Sequence, residues 1–289
     1  MATGMWTAVS GAKAREAIVD TIAHNLANSD TVGFKKDLNV FKEYISTLER
    51  EHDRPVAKFG RITDQDLNPV NDKDQSHVVT QGTYTNFSQG PIKVTKGALD
   101  VAIEGPGLIE VSTPQGLRFT RNGQFKMGQD GRLVTSEGYP VLSEGPREGT
   151  NTELDGRNPA AVGANPTAET VASRFINLRD RGDVSISESG EIYSDGNLVA
   201  KLSVVEFQNP NLIRKQGGQL FSNIDPSKNP EKNAQASNIH QYMLEASNVN
   251  PIQEMSELIR AHRLFEQDMK NLKTYGELLG KEANDIGRR

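Results

Sequence analysis

Cysteine is absent from the 289-residue chain, which excludes disulfides, thiolate metal sites and cysteine nucleophiles. Aromatic residues make up only 6%, with a single tryptophan, so a core must be built mainly from aliphatic side chains. No run approaches the ~20 apolar residues of a membrane span, and no membrane insertion is expected. A basic surplus is missing too: 33 Lys and Arg stand against 38 Asp and Glu, a net charge of -5. Nucleic-acid binding, which wants a basic face, is therefore not expected. The opening residues, Met1 to Ser10, lack the basic start and apolar core of a secretory signal. Any route out of the cytoplasm is expected to proceed without a cleavable signal peptide.

Chemical motifs are equally scarce. The five histidines, at 24, 52, 77, 240 and 262, show no metal-ligand spacing. Asp64-Gln-Asp66-Leu-Asn68 begins like a calcium loop, but Pro69 replaces the required glycine and Gln75 stands where the bidentate glutamate belongs. Gly105-Pro-Gly107 does not continue to a third glycine, and no phosphate loop or Gly-x-Ser-x-Gly elbow exists. Acidic pairs such as Glu104 and Glu110 could in principle serve a glycosidase, and their place on strands reads as solvated surface. The expectation is no enzyme, no cofactor and no metal.

What the chain does have is a striped helix at each end. Asn250 can cap and Pro251 suits the first helical position. Beyond them Met255, Leu258, His262, Phe265, Met269, Leu272, Gly276 and Leu279 step by three and four, a coiled-coil-like seam with six of eight positions apolar. At the other end Met5, Ala8, Ala12, Arg15, Val19, Ile22 and Leu26 step the same way, with no Gly or Pro from 12 to 28. Gly33 permits a left-handed turn before Phe34. Residues 38–50 read as a second helix with Val40, Phe41, Tyr44, Ile45 and Leu48 inward.

Between the ends the period changes to two. Short strands are expected at 92–95, 99–103, 108–111, 117–121, 132–135, 139–142, 175–178, 184–186, 191–193 and 198–207, punctuated by Asn-Gly, Asp-Gly and Glu-Gly turns. The fold class is α+β, with terminal helices forming a coiled-coil-like helical domain around a central antiparallel all-β domain. The expected layout is a helical assembly segment over 1–50, an extended connector over 51–81 and the β domain over 82–222. A loop insertion falls near 149–173, a return connector over 223–246 and the assembly helix over 247–289. Because the longest amphipathic elements sit at the two ends, and a helix pair alone covers only part of both stripes, the ends are expected to assemble with copies or relatives.

Three stretches carry a likeness. "HNLANSDTVGFKK" (24–36) resembles the N-terminal signature of bacterial flagellar rod and hook proteins, matching at Asn25, Leu26, Ala27, Asn28, Thr31, Gly33, Phe34 and Lys35. Residues 99–142 resemble the β region of that family through Leu-Asp-x-Ala-Ile, Thr-Arg-x-Gly-x-Phe and Gly-x-Leu-Val elements. "LEASNVNPIQEMSELIRAHRLFEQDMK" (244–270) is similar to its C-terminal signature, at Ser247, Asn248, Val249, Glu254 and Met255. Within the family, Leu264-Phe265-Glu266 with Met269-Lys270, and Gly107-Leu108-Ile109 in place of an aromatic-rich run, resemble the proximal rod members more than the distal ones.

The resemblance implies a load-bearing polymer. Terminal helices would form the core of a helical tube, with β domains outside, in the axle that crosses the periplasm between motor and hook. It implies self and other rod or hook subunits as partners, and delivery by the flagellar type III export apparatus. The helices are expected to be loosely ordered in the monomer and to fold on assembly. The alternatives are a distal rod or hook-type subunit, or a secreted carbohydrate-binding or carbohydrate-active β protein with helical arms.

Overall fold

The computed structural model describes residues 2–46, 75–145, 171–178 and 183–286. The first element is helix α1, Ala2–Ala27. It ends where Asn28 and Ser29 donate back three residues, to the Asn25 and Leu26 carbonyls, and where Gly33 takes a φ of 69°. Strand β1, Asp37–Ser46, follows and lies beside β2, Gln75–Thr85.

This corrects the second helix expected over 38–50. Val40, Phe41, Tyr44 and Ile45 sit in adjacent pairs four apart, a spacing compatible with a helix. Yet they are β-branched and aromatic, the types that strands favour, and Asn25 supplies backbone bonds that start the strand at Asp37. Val40 and Phe41 are exposed rather than inward, and Leu48 lies outside the described residues. The connector expected over 51–81 falls outside them up to residue 74, as does the loop near 64; from Gln75 it is strand.

The central region is antiparallel. Strands β3 (Ile92–Val94), β4 (Val101–Glu104), β5 (Leu108–Thr113), β6 (Gly116–Thr120), β7 (Phe125–Met127) and β8 (Leu133–Thr135) are followed by β9 (Val184–Ile186), β10 (Glu191–Ser194), β11 (Asn197–Lys201) and β12 (Val204–Phe207). A single 3-10 turn, Pro210–Leu212, leads to β13 (Ile213–Lys215) and β14 (Leu220–Asn223). The β10–β11 hairpin turns on Asp195 and Gly196, both at positive φ, the backbone that matches strand twist in a two-residue loop. Residues 139–142 and 175–178 contribute isolated bridges rather than strands.

The return segment 223–246 is woven into the sheets rather than spanning them. In it β15 (Glu231–Asn233) pairs with β12, β16 (Asn238–Gln241) with β4, and β17 (Met243–Glu245) with β3. The last element, α2, is helix Pro251–Ile286. The result is α+β with a central β domain.

A six-stranded sheet, ordered β13-β14-β6-β5-β12-β15, is the backbone of the core. Its two faces alternate along β5. Ile109 and Val111 join a cluster with Val101, Ile103, Leu133, Ile192 and Ile239, while Leu108 joins Phe119, Val205, Ile213 and Phe221. Covering both faces explains why Leu108–Val111 is buried at every position.

Two compact units result: most of α1 and α2 with β1 and β2, and a second unit comprising Asn25–Asp37 and Tyr84–Pro251. Of the buried apolar side chains among the described residues, only Ala12, Ala14 and Ile22 belong to the first. At roughly 1.5–3 kcal/mol for each large apolar side chain buried, nearly all the core stabilisation lies in the second unit. Local opening should follow that division. In hydrogen exchange on the dilute full-length chain, amides of Ile109, Val111 and Phe119 are expected to outlast those of residues 265–281 by orders of magnitude. Equal protection would contradict the division.

Candidate functional site

The second unit contains a buried charged junction that no local pattern announces. Its centre is Glu245, the last residue of β17, 1% exposed. One carboxylate oxygen, Oε1, accepts from Lys35 Nζ at 2.6 Å and from the Gly90 amide at 2.8 Å. The other, Oε2, accepts from Arg121 Nε at 2.6 Å. The backbone carbonyl of Glu245 accepts from the Gly33 amide at 2.8 Å. Lys35 also donates to the Ser88 carbonyl, and Arg121 donates to the carbonyls of Ile103, Gly105 and Gly107. Two cations thus share one anion, and further donors on each go to backbone oxygens. Each donor needs such a partner, because an unpaired buried charge would cost several kcal/mol, roughly 3–5 when one member of a buried pair is removed.

Asparagines extend the junction. Asn248 accepts from the Lys36 amide at 2.7 Å and donates to the carbonyls of Asn86 and Ser88. Asn25, 1% exposed, donates to the Asp37 carbonyl at 2.8 Å and accepts from the Asp37 amide at 2.9 Å. Its side-chain amide thereby stands in for a strand partner at the end of α1. Lys215 Nζ reaches Asp37 Oδ2 at 2.8 Å and lies 3.8 Å over the Phe34 ring. Burial lowers the Lys215 pKa, against the opposing pull of Asp37.

Packing here leaves no room for side chains at two glycines. A Cβ on Gly33 would lie 2.7 Å from the Arg121 carbonyl, and one on Gly90 would lie 2.1 Å from the Ala246 oxygen. Gly33 therefore serves both the turn and the close approach of Arg121.

The junction gathers the three sequence signatures. From the first come Asn25, Gly33, Phe34 and Lys35, all buried. Leu26 and Asn28 are half-buried, Ala27 is exposed, and Thr31 Oγ1 donates to Asn28 Oδ1 at 3.2 Å. From the third come Ser247 and Val249, buried, with the Val249 amide donating to Ser247 Oγ. Glu254, in the first turn of α2, is 1% exposed, while Met255 is 47% exposed. The middle signature supplies Arg121. Glu245 and Arg121 were not singled out by sequence reasoning. The available signal was a lone acid in the apolar-to-polar step of Met243-Leu-Glu-Ala-Ser-Asn-Val249.

The stripe residues belong largely to the first unit. In α1, Ala12 and Ile22 are buried and Ala8 and Val19 half-buried. Met5 and Leu279 lie in the helices, α1 and α2 respectively. In α2, Leu258, Phe265 and Leu272 are half-buried, and Met269 is exposed. Ala261 and Asp268 are the half-buried residues between them, in place of His262 and Met269. Arg15 of α1 forms an ion pair with Asp268 on that side of α2.

The carboxylate pair weighed for glycoside chemistry does not form a site. Glu110 is fully buried against Arg174 and the Ser203 hydroxyl, which corrects its reading as a solvated strand residue. Glu104 is exposed and meets His240 at 2.8 Å. Among the described residues no cluster of three or more His, Asp or Glu could hold a metal ion, and no helix is long and apolar enough to cross a membrane.

Family models match three parts of the chain. These are a flagella basal body rod protein model over residues 5–35, a flagellar hook protein FlgE/F/G D1 domain over 102–194, and a flagellar basal body rod FlgEFG protein C-terminal model over 240–286. Full-length relatives match as well. The flagellar basal-body rod protein FlgG of Borreliella burgdorferi is 30% identical, over 100% of both chains. FlgG of Buchnera aphidicola from Schizaphis graminum is 28% identical over 97% of this chain and 98% of its own. The rod protein FlgF of Caulobacter vibrioides is 29% identical over 93% and 92%.

Removing Glu245 strands two cations, whereas removing Lys35 leaves Glu245 its Arg121 partner. Glu245→Gln is therefore expected to destabilise the chain by about 3–5 kcal/mol, and Lys35→Met by clearly less, in denaturant melts followed by sheet ellipticity. Burial, outweighing the pull of Glu245, lowers the Lys35 pKa from 10.5 to about 8. Between those values the unfolded chain holds the extra proton, so this group makes stability rise with pH. Wild type should gain on Lys35→Met as pH climbs from 8 to 10.5; a gap that narrows would refute the assignment.

Proposed function

The chain belongs to the flagellar basal-body rod protein family, and from that membership we propose that it is a subunit of the proximal rod. It is a structural protein and not an enzyme. In this reading it polymerises through its terminal helices, as a coiled-coil-like tube wall, with copies of itself and with other rod and hook subunits. It reaches the rod, in the periplasmic space, through the flagellar type III export apparatus and without a cleavable signal, and it transmits torque from motor to hook.

The observation that carries the mechanical part is the Glu245 junction. Within the second unit it ties the last turn of α1, through the run from Asn25 to Lys35, and the approach to α2, through Ser247 to Val249, onto Arg121 at the end of β6. A subunit that bears load along its helices needs their roots fixed to its body, and buried charge pairs resist displacement because separating them leaves each charge unsolvated. The thin burial in the first unit supports the second half of the reading, that the stripes complete their cover on assembly. The assembly residues are then Met5, Ala8, Ala12, Val19, Ile22 and Leu26 with Met255, Leu258, Phe265, Met269, Leu272 and Leu279.

The proximal position is supported by Leu264-Phe265-Glu266 with Met269-Lys270 and by Gly107-Leu108-Ile109. A distal rod subunit is the second reading, favoured by the end-to-end match to the Borreliella FlgG.

Deletion of the gene in its source cell, with electron cryo-tomography of the motors, tests the proposal. Basal rings with no rod or a short stub are expected; a long stub would indicate the distal position, and complete rods with hooks would refute a rod role. Leu258→Pro removes a helix hydrogen bond and costs about 3 kcal/mol or more in α2. It should abolish rod assembly while leaving the sheet signal of the purified chain unchanged. Loss of the sheet signal would show that helix and β domain do not fold separately.

A further inference from the structure

The two helices each expose a second stripe, opposite to the one they cover. In α1 the exposed positions Lys13, Glu16, Asp20 and Ala23 step by three, four and three, so they form one face. In α2 the exposed positions Ser256, Ile259, Arg263 and Glu266 step by three, four and three as well. Ile259 is 56% exposed, and Met255 and Arg260 flank it on the same side. Ile259 and Met255 are thus open apolar side chains framed by Arg260 and Arg263.

In the registers that set Ala23 against Ser256 (antiparallel) or Glu266 (parallel), the order of charge and size on the two faces is complementary antiparallel and not parallel. Laid antiparallel, Lys13 meets Glu266, Glu16 meets Arg263, Asp20 falls between Ile259 and Arg260, and Ala23 faces Ser256 beside Met255. Laid parallel in the same spacing, only Asp20 with Arg263 makes an ion pair. Lys13 then meets Ser256, Glu16 meets Ile259, and Ala23 is set against Glu266. The small Ala23 and Ser256 sit where the antiparallel backbones come closest, which is where a short interaxial distance needs them.

We propose that the outer face of α1, along Lys13, Glu16, Asp20 and Ala23, docks antiparallel on the outer face of α2 of a second copy of this chain. The contact is heterologous: each copy uses its α1 face on one neighbour and keeps its α2 face for another. Such a contact repeats into a polymer rather than closing as a pair. The inference rests on the rod reading above and adds to it which faces meet, in which direction, and through which pairs. The apolar stripes named above complete their cover on assembly, and the exposed faces add a further contact from chain to chain.

The absence of native cysteine gives a clean test. Full-length Ala23→Cys and Ser256→Cys chains, with different tags, are mixed and oxidised under conditions where sedimentation shows association. A disulfide between differently tagged chains is expected, because bridging requires Cβ atoms about 3.5–4.5 Å apart. The same Ala23→Cys chain mixed with Glu266→Cys, the parallel register, should link far less. In the second arm, Glu16→Arg with Asp20→Arg should weaken association roughly tenfold, the equivalent of ~1.4 kcal/mol. Arg260→Glu with Arg263→Glu on the partner chain should restore it. All these positions are exposed, so unchanged helical ellipticity will confirm that the variants fold.

Association without the 23–256 link, or equal linking at 266, overturns the face assignment and leaves the rod reading standing. No association of the wild-type chain at any concentration overturns the choice of a second copy as occupant. The rod reading would then stand or fall on the tomography alone.

Discussion

A single carboxylate, buried between an ammonium and a guanidinium, governs this molecule. Glu245 joins segments separated by 210 residues on the Lys35 side and 124 on the Arg121 side. Neither cation can be relaxed independently, since Arg121 also anchors the carbonyls of the Gly105 turn and Lys35 that of Ser88. The arrangement is asymmetric in its stakes. Burial strains the lysine, whose proton is held only to about pH 8, but the glutamate is indispensable to both partners. Gly33 must pass close to Arg121, Gly90 must pass close to Ala246, and Asn248 must span two chain segments. A shift of one residue in β17 would break all of these at once.

The contrast between the two units follows from what each buries. The second has a buried core on both faces of a six-stranded sheet, mainly aliphatic on one and built around Phe119 and Phe221 on the other, with Phe207 edge-on to Phe119 and Phe87 tilted against Phe221. Among the described residues of the first, only Ala12, Ala14 and Ile22 are buried apolar side chains, and the rest are half-buried or open. A domain and a pair of long helices thus share one chain but not one source of stability. That division suits a protein whose helices complete their burial against neighbours, since an isolated chain with fully satisfied helices would gain little by joining a polymer.

Much of this was legible residue by residue, and the gaps have physical causes. The helix α2 announced itself through Asn250-Pro251, and most strands from β3 to β12 through short alternating runs closed by Gly turns; β7 was not among them, and β11 and β12 were read as one strand over 198–207. Strand β1 was misread because Val40, Phe41, Tyr44 and Ile45 satisfy the helical period as well as strand propensity, and the deciding bonds come from Asn25. The strands β15 to β17 were read as connector because Glu231-Lys-Asn233 has no apolar residue, and each of the other two buries little beyond Ile239 and Leu244. The junction itself could not be found by pattern. Lys35, Arg121, Glu245 and Glu110 are charged, and local sequence gives no sign that a charge will be buried until its partner arrives from far along the chain.

The position of the return strands carries a further consequence. Among the described residues, strands β3 and β4, near the start of the β domain, pair with β17 and β16, about 150 and about 137 residues later in the chain. A chain emerging from its N-terminus therefore holds unpaired strand edges and an uncompensated Lys35 and Arg121 until residues 238–248 appear. Closing so long a loop is entropically slow, and no partial chain can do it. The fold is in effect a completeness check: only a molecule whose final stretch has been delivered can lock its body, and its last helix, α2, begins three residues beyond that lock.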